Sequence, residues 1–178
     1  MSRVDVTAQG LIDHFGMTPL PVESTFVVST YRSVTENRDG SPVGTAMIGM
    51  YVDEPRSVSL FHRLTFDEVW HFYGGDPMRL VLLHPDGSDE EIVLGSDVLA
   101  GQRVQFVIPA GVWQAGELIG GGRWALFGCT MAPGFTGTCF EGGTIRGLLV
   151  SHPARADDVR RLGIPDGHET SMPEGFAT

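Results

Sequence analysis

Residues 61–75 read FHRLTFDEVWHFYGG, which places two histidines and a glutamate within ten positions, ahead of a glycine pair. A histidine titrates near neutrality, and a buried carboxylate beside it can hold its tautomer or share its proton. His62 and Glu68 are therefore candidates for proton transfer, and equally for holding a divalent cation. Strand alternation separates the two histidines. If 67–73 is extended, Glu68, Trp70 and Phe72 share one face while Val69, His71 and Tyr73 take the other. His71 then reaches a site shared by His62 and Glu68 only through a bulge. His71 and Tyr73 stand as secondary substrate-binding candidates, sheet packing or a dimer contact being at least as plain a reading of His71.

These side chains need a scaffold, and the punctuation of the chain supplies its outline. Leu11, Ile12, Phe15 and Val4 recur at helical spacing, and Gly16 follows as a C-cap. β-like runs occupy 25–32, 44–52, 57–63, 67–73, 78–84, 90–94, 104–108, 113–118 and 123–131. Turn chemistry separates them: GGDP at 74–77, HPDGS at 84–88, IPAG at 108–111 and GGG at 120–122. Short strands at such intervals predict an all-β sandwich or barrel. A minor helix is expected at 154–162. Residues 1–165 read as a single domain, and 166–178, polar with proline and glycine, as a loosely ordered tail. Trp70, Phe72, Trp113 and Phe127 at strand spacing are core candidates.

Composition removes several function classes. The formal charge is −10, from 12 basic against 22 acidic residues; nucleic acid and anionic membrane need a clustered positive field instead. Every basic residue is arginine, so no side chain can form a Schiff base or complete a phosphate loop. No apolar run approaches the length of a membrane span. The N-terminus lacks a signal-peptide core, and a cytoplasmic location is expected. Cys129 and Cys139 lack metal spacing and read as buried thiols in a reducing compartment, a nucleophilic Cys129 being a minor alternative.

His62, Leu64, Glu68 and Gly75 fall on H-x-[H]-x3-E-x6-G, with leucine in the second histidine slot. Pro109-Ala110-Gly111-Val112-Trp113-Gln114 follows P-x-G-x-x-H, with glutamine for histidine. Together with HR-x3-DE-x-WH-x-Y-x-GDP, PAGVWQAG, GCTMAPGF and a later FE pair, the chain resembles the DUF985 cupins from about Leu11 to about Pro153. The resemblance implies a double-stranded β-helix (jelly roll) with an N-terminal helix, and commonly a homodimer. In such a barrel, core and ligand cup are one interior space. Where the family carries E-G-G-Y/F and then E-T-Y-R-S, this chain has Glu23-Ser24-Thr25-Phe26 and Ser29-Thr30-Tyr31-Arg32-Ser33. Glu23 persists while both glycines are replaced, which suggests a pocket retuned for another substrate.

In metal-binding cupins these motifs supply three histidines and a glutamate. Here the slots hold His62, Leu64, Glu68 and Gln114, a poor set for a transition metal. The expectation is a small-molecule-binding cupin that needs no cofactor, at most a weakly held divalent metal on His62, Glu68 and Gln114. Its expected activity is isomerisation, epimerisation or cyclisation of an apolar carbonyl metabolite, in the manner of bacterial secondary metabolism. His62 and Glu68 would exchange the proton, and Gln114 would polarise the carbonyl. Trp70, Phe72, Trp113 and Phe140 would shape the pocket, Glu23 would bind substrate, Tyr31, Arg32 and Arg63 are candidates for anchoring an acidic group, and Glu141 would close the mouth. A metal-dependent dioxygenase or isomerase, and a non-catalytic ligand binder, remain as rival readings.

Overall fold

Gly87 takes a left-handed conformation (φ 88°) in the turn where His84 N–H donates to Ser88 O at 2.9 Å. That turn joins β6 (Met78–Leu83) to β7 (Asp89–Leu94), one of several hairpins that the glycine-rich breaks produce. The computed structural model describes residues 6–177. All nine expected strands form, each within two residues of its expected ends: β2 (Phe26–Arg32), β3 (Thr45–Val52), β4 (Ser59–Leu64), β5 (Glu68–Gly75), β6, β7, β8 (Gln105–Ile108), β9 (Trp113–Leu118) and β10 (Trp124–Met131). Two very short strands, β1 (Thr18–Pro19) and β11 (Phe140–Gly142), escape periodicity because they span too few residues to show any.

The strands form two antiparallel sheets, ordered β1-β2-β3-β10-β5-β8 and β11-β4-β9-β6-β7. Packed face to face they make a jelly roll. Its interior holds Tyr51, Trp70, Met78, Leu80, Leu82 and Phe127, with the Trp70 and Phe127 rings stacked at 4.7 Å. The unbroken apolar run of β6 has a simple cause. Met78, Leu80 and Leu82 face the interior, while Val81 and Leu83 meet a second layer outside. That layer is α2 (Ile145–Ser151) and α3 (Ala156–Leu162), which bring Leu148, Val159 and Leu162 against Phe61, Val81 and Ala115. Arg79 of β6 reinforces it, reaching Glu117 at 2.8 Å and Asp158 of α3 at 2.6 Å. α2 was not expected. It is short and carries Gly147, whose N–H the Thr144 hydroxyl caps at 3.2 Å.

On the other sheet, α1 (Ala8–Phe15) covers the outer face with Leu11, Ile12 and Phe15 against Met50 and Val52. Thr7 caps its start and Gly16 (φ 64°) its end. Val4, expected on that face, lies outside the described residues. The tail, 166–177, is mostly exposed and touches the barrel at a few points. Gly142 N–H donates to Thr170 O (2.6 Å) and Gly137 N–H to Phe176 O (3.1 Å), Met172 is buried, and Phe176 meets Phe135 edge-on at 6.4 Å. Polar composition hid two apolar anchors, Met172 and Phe176, at a barrel end that also holds Leu64, Met131 and Phe140. No helix among the described residues is long and apolar enough to cross a membrane.

Phe61 is fully buried between the five-stranded sheet and the C-terminal helices. Phe61→Ala is expected to lower the unfolding free energy by about 3–5 kcal/mol, read from chemical denaturation midpoints.

Candidate functional site

A cavity of about 440 Å³ opens at the barrel end that β1, β2 and the tail cover. Met47, Trp70, Cys129, Met131 and Phe140 give it an apolar wall, interrupted by Glu23, Ser59, His62 and Glu68. A larger groove, about 710 Å³, runs outside past Arg56, Arg79, Glu117 and Arg161. There Glu117 contacts all three guanidiniums at 2.8–2.9 Å, and Glu91 and Asp158 complete the pairing, so the unspent chemistry is in the barrel.

A bulge brings His62 inside. Ser59 pairs with Gly116 and His62 with Gln114, so β4 advances three residues while β9 advances two. The extra residue breaks the alternation, putting both Ser59 and His62 on the cavity wall and sending Phe61 to the helical layer. Gly116 is needed here because a Cβ would overlap the Tyr51 hydroxyl. Tyr51 instead reaches Ser59 and donates to it at 2.7 Å.

Glu23 is the central anion of this cluster. Val22 just before it sits at φ 74°, a left-handed conformation that costs a β-branched residue about 1–2 kcal/mol. Glu23 Oε1 accepts from Thr25 at 2.7 Å and from Ser59 at 3.3 Å. Its Oε2 is buried without a hydrogen bond and lies 3.4 Å from His62 Nδ1. Nδ1 itself is 2.8 Å from the Leu60 carbonyl, an acceptor only, so Nδ1 carries the hydrogen. The Glu23 contact is long for a hydrogen bond and acts by charge. Nε2, on the far side of the ring, makes no hydrogen bond with the described residues, and Phe140 stacks on the ring at 5.0 Å. Burial opposes the imidazolium, but the Glu23 charge, the Glu68 charge and the Leu60 carbonyl outweigh it. The His62 pKa therefore lies above the ordinary 6.5.

Glu68 faces the same cavity from β5. Its Oε2 accepts from Trp70 Nε1 and from Gln114 Nε2, both at 2.9 Å. Trp70 Nε1 also reaches Gln114 Oε1 at 2.9 Å, closing the triangle. Burial pushes the Glu68 carboxyl above its ordinary 4.5, against the opposing pull of His62, Gln114 and Trp70. Cys129 lies on the facing strand, and burial with the Glu68 charge drives its thiol well above 9.0. It is a neutral wall group rather than a nucleophile.

Several expected site residues stand elsewhere. The ion contact of His62 is with Glu23, not Glu68, because the loop before β2 enters the barrel. Gln114 has both amide ends engaged and backs the wall, so it positions Glu68 instead of polarising a guest. Tyr31 is 56% exposed, turned outward by a register shift after Ser29. Arg63 pairs with Glu141 at 2.8 Å on the outer face and lies over Trp113, which packs toward the helices. Glu141 therefore does not close this mouth. Phe72 packs into the core beside Trp70. His71 bonds Thr130 (2.9 Å) and Gln105 (3.1 Å) and stacks with Tyr73 on the sheet's outer face. Ser59, Thr25 and Tyr51 were missed; hydroxyl residues in apolar strands give no signal until the bulge is seen.

A family model described as "Cupin superfamily (DUF985)" matches residues 9–142. The chain belongs to the DUF985 cupins. A structural-genomics crystal structure from Shewanella oneidensis is 30% identical over 90% of this chain and 99% of that one, with a TM-score of 0.83. A hypothetical protein from Leishmania major is 23% identical over 89% and 99%, with a TM-score of 0.79. A Bacillus subtilis oxalate decarboxylase variant is 10% identical, covers 91% of this chain and 42% of its own, and has a TM-score of 0.51, a likeness of fold alone. Among curated proteins none matches.

The metal that many cupins hold does not fit this one. Leu64 has no donor atom, and Gln114 is engaged at both amide ends. Among the described residues no three His, Cys, Asp or Glu side chains are arranged to hold a metal ion.

The folded cupin holds the His62 proton more tightly than the unfolded chain does. The imidazolium therefore stabilises the fold below pH 6.5, and this contribution is lost as pH rises through the raised folded value. In histidine-detected NMR, His62 is expected to titrate above 6.5 in the native protein and at lower pH in Glu23→Gln. An unchanged midpoint in that variant would remove Glu23 from the account.

Proposed function

We propose that this DUF985 cupin binds a small, largely apolar carbonyl compound in the barrel and moves a proton on it without a metal. The reaction class is isomerisation, epimerisation or cyclisation. The supporting observation is the His62 environment: Leu60 O and the buried Glu23 Oε2 occupy the Nδ1 side, and Nε2 is left to a guest. In its neutral form His62 removes a proton from the carbon next to the carbonyl through Nε2. The electron pair moves onto the carbonyl oxygen, and the imidazolium that forms is stabilised by Glu23. Glu68, whose two hydrogen bonds both fall on Oε2, in its protonated form gives a hydrogen bond to that oxygen and keeps its proton. Return of the proton from Nε2 to carbon completes the cycle. Trp70 and Gln114 are positioning residues that hold Glu68, and the apolar wall excludes water from the enolate.

Proton removal at carbon can be measured without knowing the product. A panel of apolar ketones and keto acids in D₂O should show deuterium incorporation catalysed by the wild-type protein, unaffected by a chelator. His62→Gln should lower that rate by about 10²–10⁴-fold. Tight binding with no exchange across the panel would replace this reading with that of a non-catalytic ligand binder.

A further inference from the structure

We propose that the guest is an organic monocarboxylate whose acid group sits on Arg32, with its carbonyl end at His62 and Glu68. Arg32 is part of the cavity wall. Its Nη1 donates to Phe135 O at 3.2 Å and to Ala177 O at 3.0 Å, which fixes the guanidinium at the mouth. Those bonds leave Nε and Nη2 unused among the described residues, and no carboxylate there pairs with the group. The contrast is with Arg63 and Arg79, each matched to acids at 2.8 Å. A partly buried guanidinium set apart from the Glu23–His62–Glu68 cluster on the same wall is suited to a bidentate carboxylate. In a chain of formal charge −10, an anion depends on such a local cation to enter.

Strand register sets the length of the guest. Arg32 pairs with Thr45, Thr45 with Met131, and Met131 with Glu68, so the four lie in one row across β2, β3, β10 and β5. All four line the cavity. Three strand spacings separate Arg32 from Glu68, about 14 Å along the sheet. The two side chains span part of that distance, and Met131 with Phe135 flanks the remainder, leaving room for an apolar chain of several carbons. Glu23 at the far end repels a second carboxylate, which makes the guest a single acid with a neutral far end. The assignment of which end reacts rests on the proton-transfer reading; the assignment of the anchor does not.

Calorimetric titration of the full chain with heptanoate, heptanamide and heptylamine separates these contributions. Heptanoate should bind about tenfold or more tighter than heptanamide, as expected of charge-assisted hydrogen bonds. Arg32→Gln should reduce heptanoate to the level of heptanamide and leave heptanamide unchanged, which also shows that the variant is folded. Arg32→Lys should retain most of the preference. His62→Gln should keep heptanoate binding while losing deuterium exchange. Failure of exchange with intact acid selectivity would therefore overturn the proton-transfer reading and keep the anchor. Equal binding of acid and amide, preference for the amine, an Arg32→Gln variant that keeps its acid preference, or no binding of any probe at millimolar concentration would overturn the anchor.

Discussion

Burying a carboxylate in an apolar interior costs several kcal/mol unless charge or hydrogen bonds compensate it. This barrel contains two, Glu23 and Glu68, and most of the polar architecture around them follows from that cost. Glu68 is compensated by a closed set of donors, Trp70 and Gln114, on one oxygen. Glu23 is compensated on one side by Thr25 and Ser59, while its second oxygen has only the nearby His62 ring. The imbalance raises the proton affinity of His62: the cation it forms on accepting a proton is the charge that the buried oxygen lacks.

In the same cluster the motif positions are filled by groups that bond one another. In the metal-binding arrangement, ligands converge on an ion and leave their outer atoms to neighbours. Here Leu64 contributes only volume, and Gln114 links Trp70 to Glu68, so the polar atoms satisfy one another. Of the groups in these positions, His62 and Glu68 each hold a proton more tightly than the free side chain does.

Closure of the cavity comes from segments distant in sequence. The loop before β2 brings in Glu23, and the tail contributes Phe176 and Ala177 to the same wall. Arg32 joins them through carbonyls of Phe135 and Ala177. The two ends of the cavity differ as a result: one carries a guanidinium held by backbone, the other a buried acid–base cluster, with an apolar wall between.

The strands were legible in the sequence because alternation and turn residues are local, and the nine longest appear where those signals put them. The presence of His62 and Glu68 in one site was legible from motif spacing, and the outward face of His71 from strand alternation. The partners of these residues were not. Glu23 and His62 are far apart in the chain, and their meeting depends on an unusual Val22 conformation and a one-residue bulge in β4. Neither leaves a mark on composition or period. Side-chain direction decided the rest: Tyr31, Arg63, Trp113 and Glu141 have suitable chemistry but face away, because a register shift or a single strand step exchanges inside for outside. Sequence alone thus determined which strands form and which groups could do chemistry. Only the tertiary structure decided which of those groups share a cavity, since that depends on contacts between residues that local pattern does not connect.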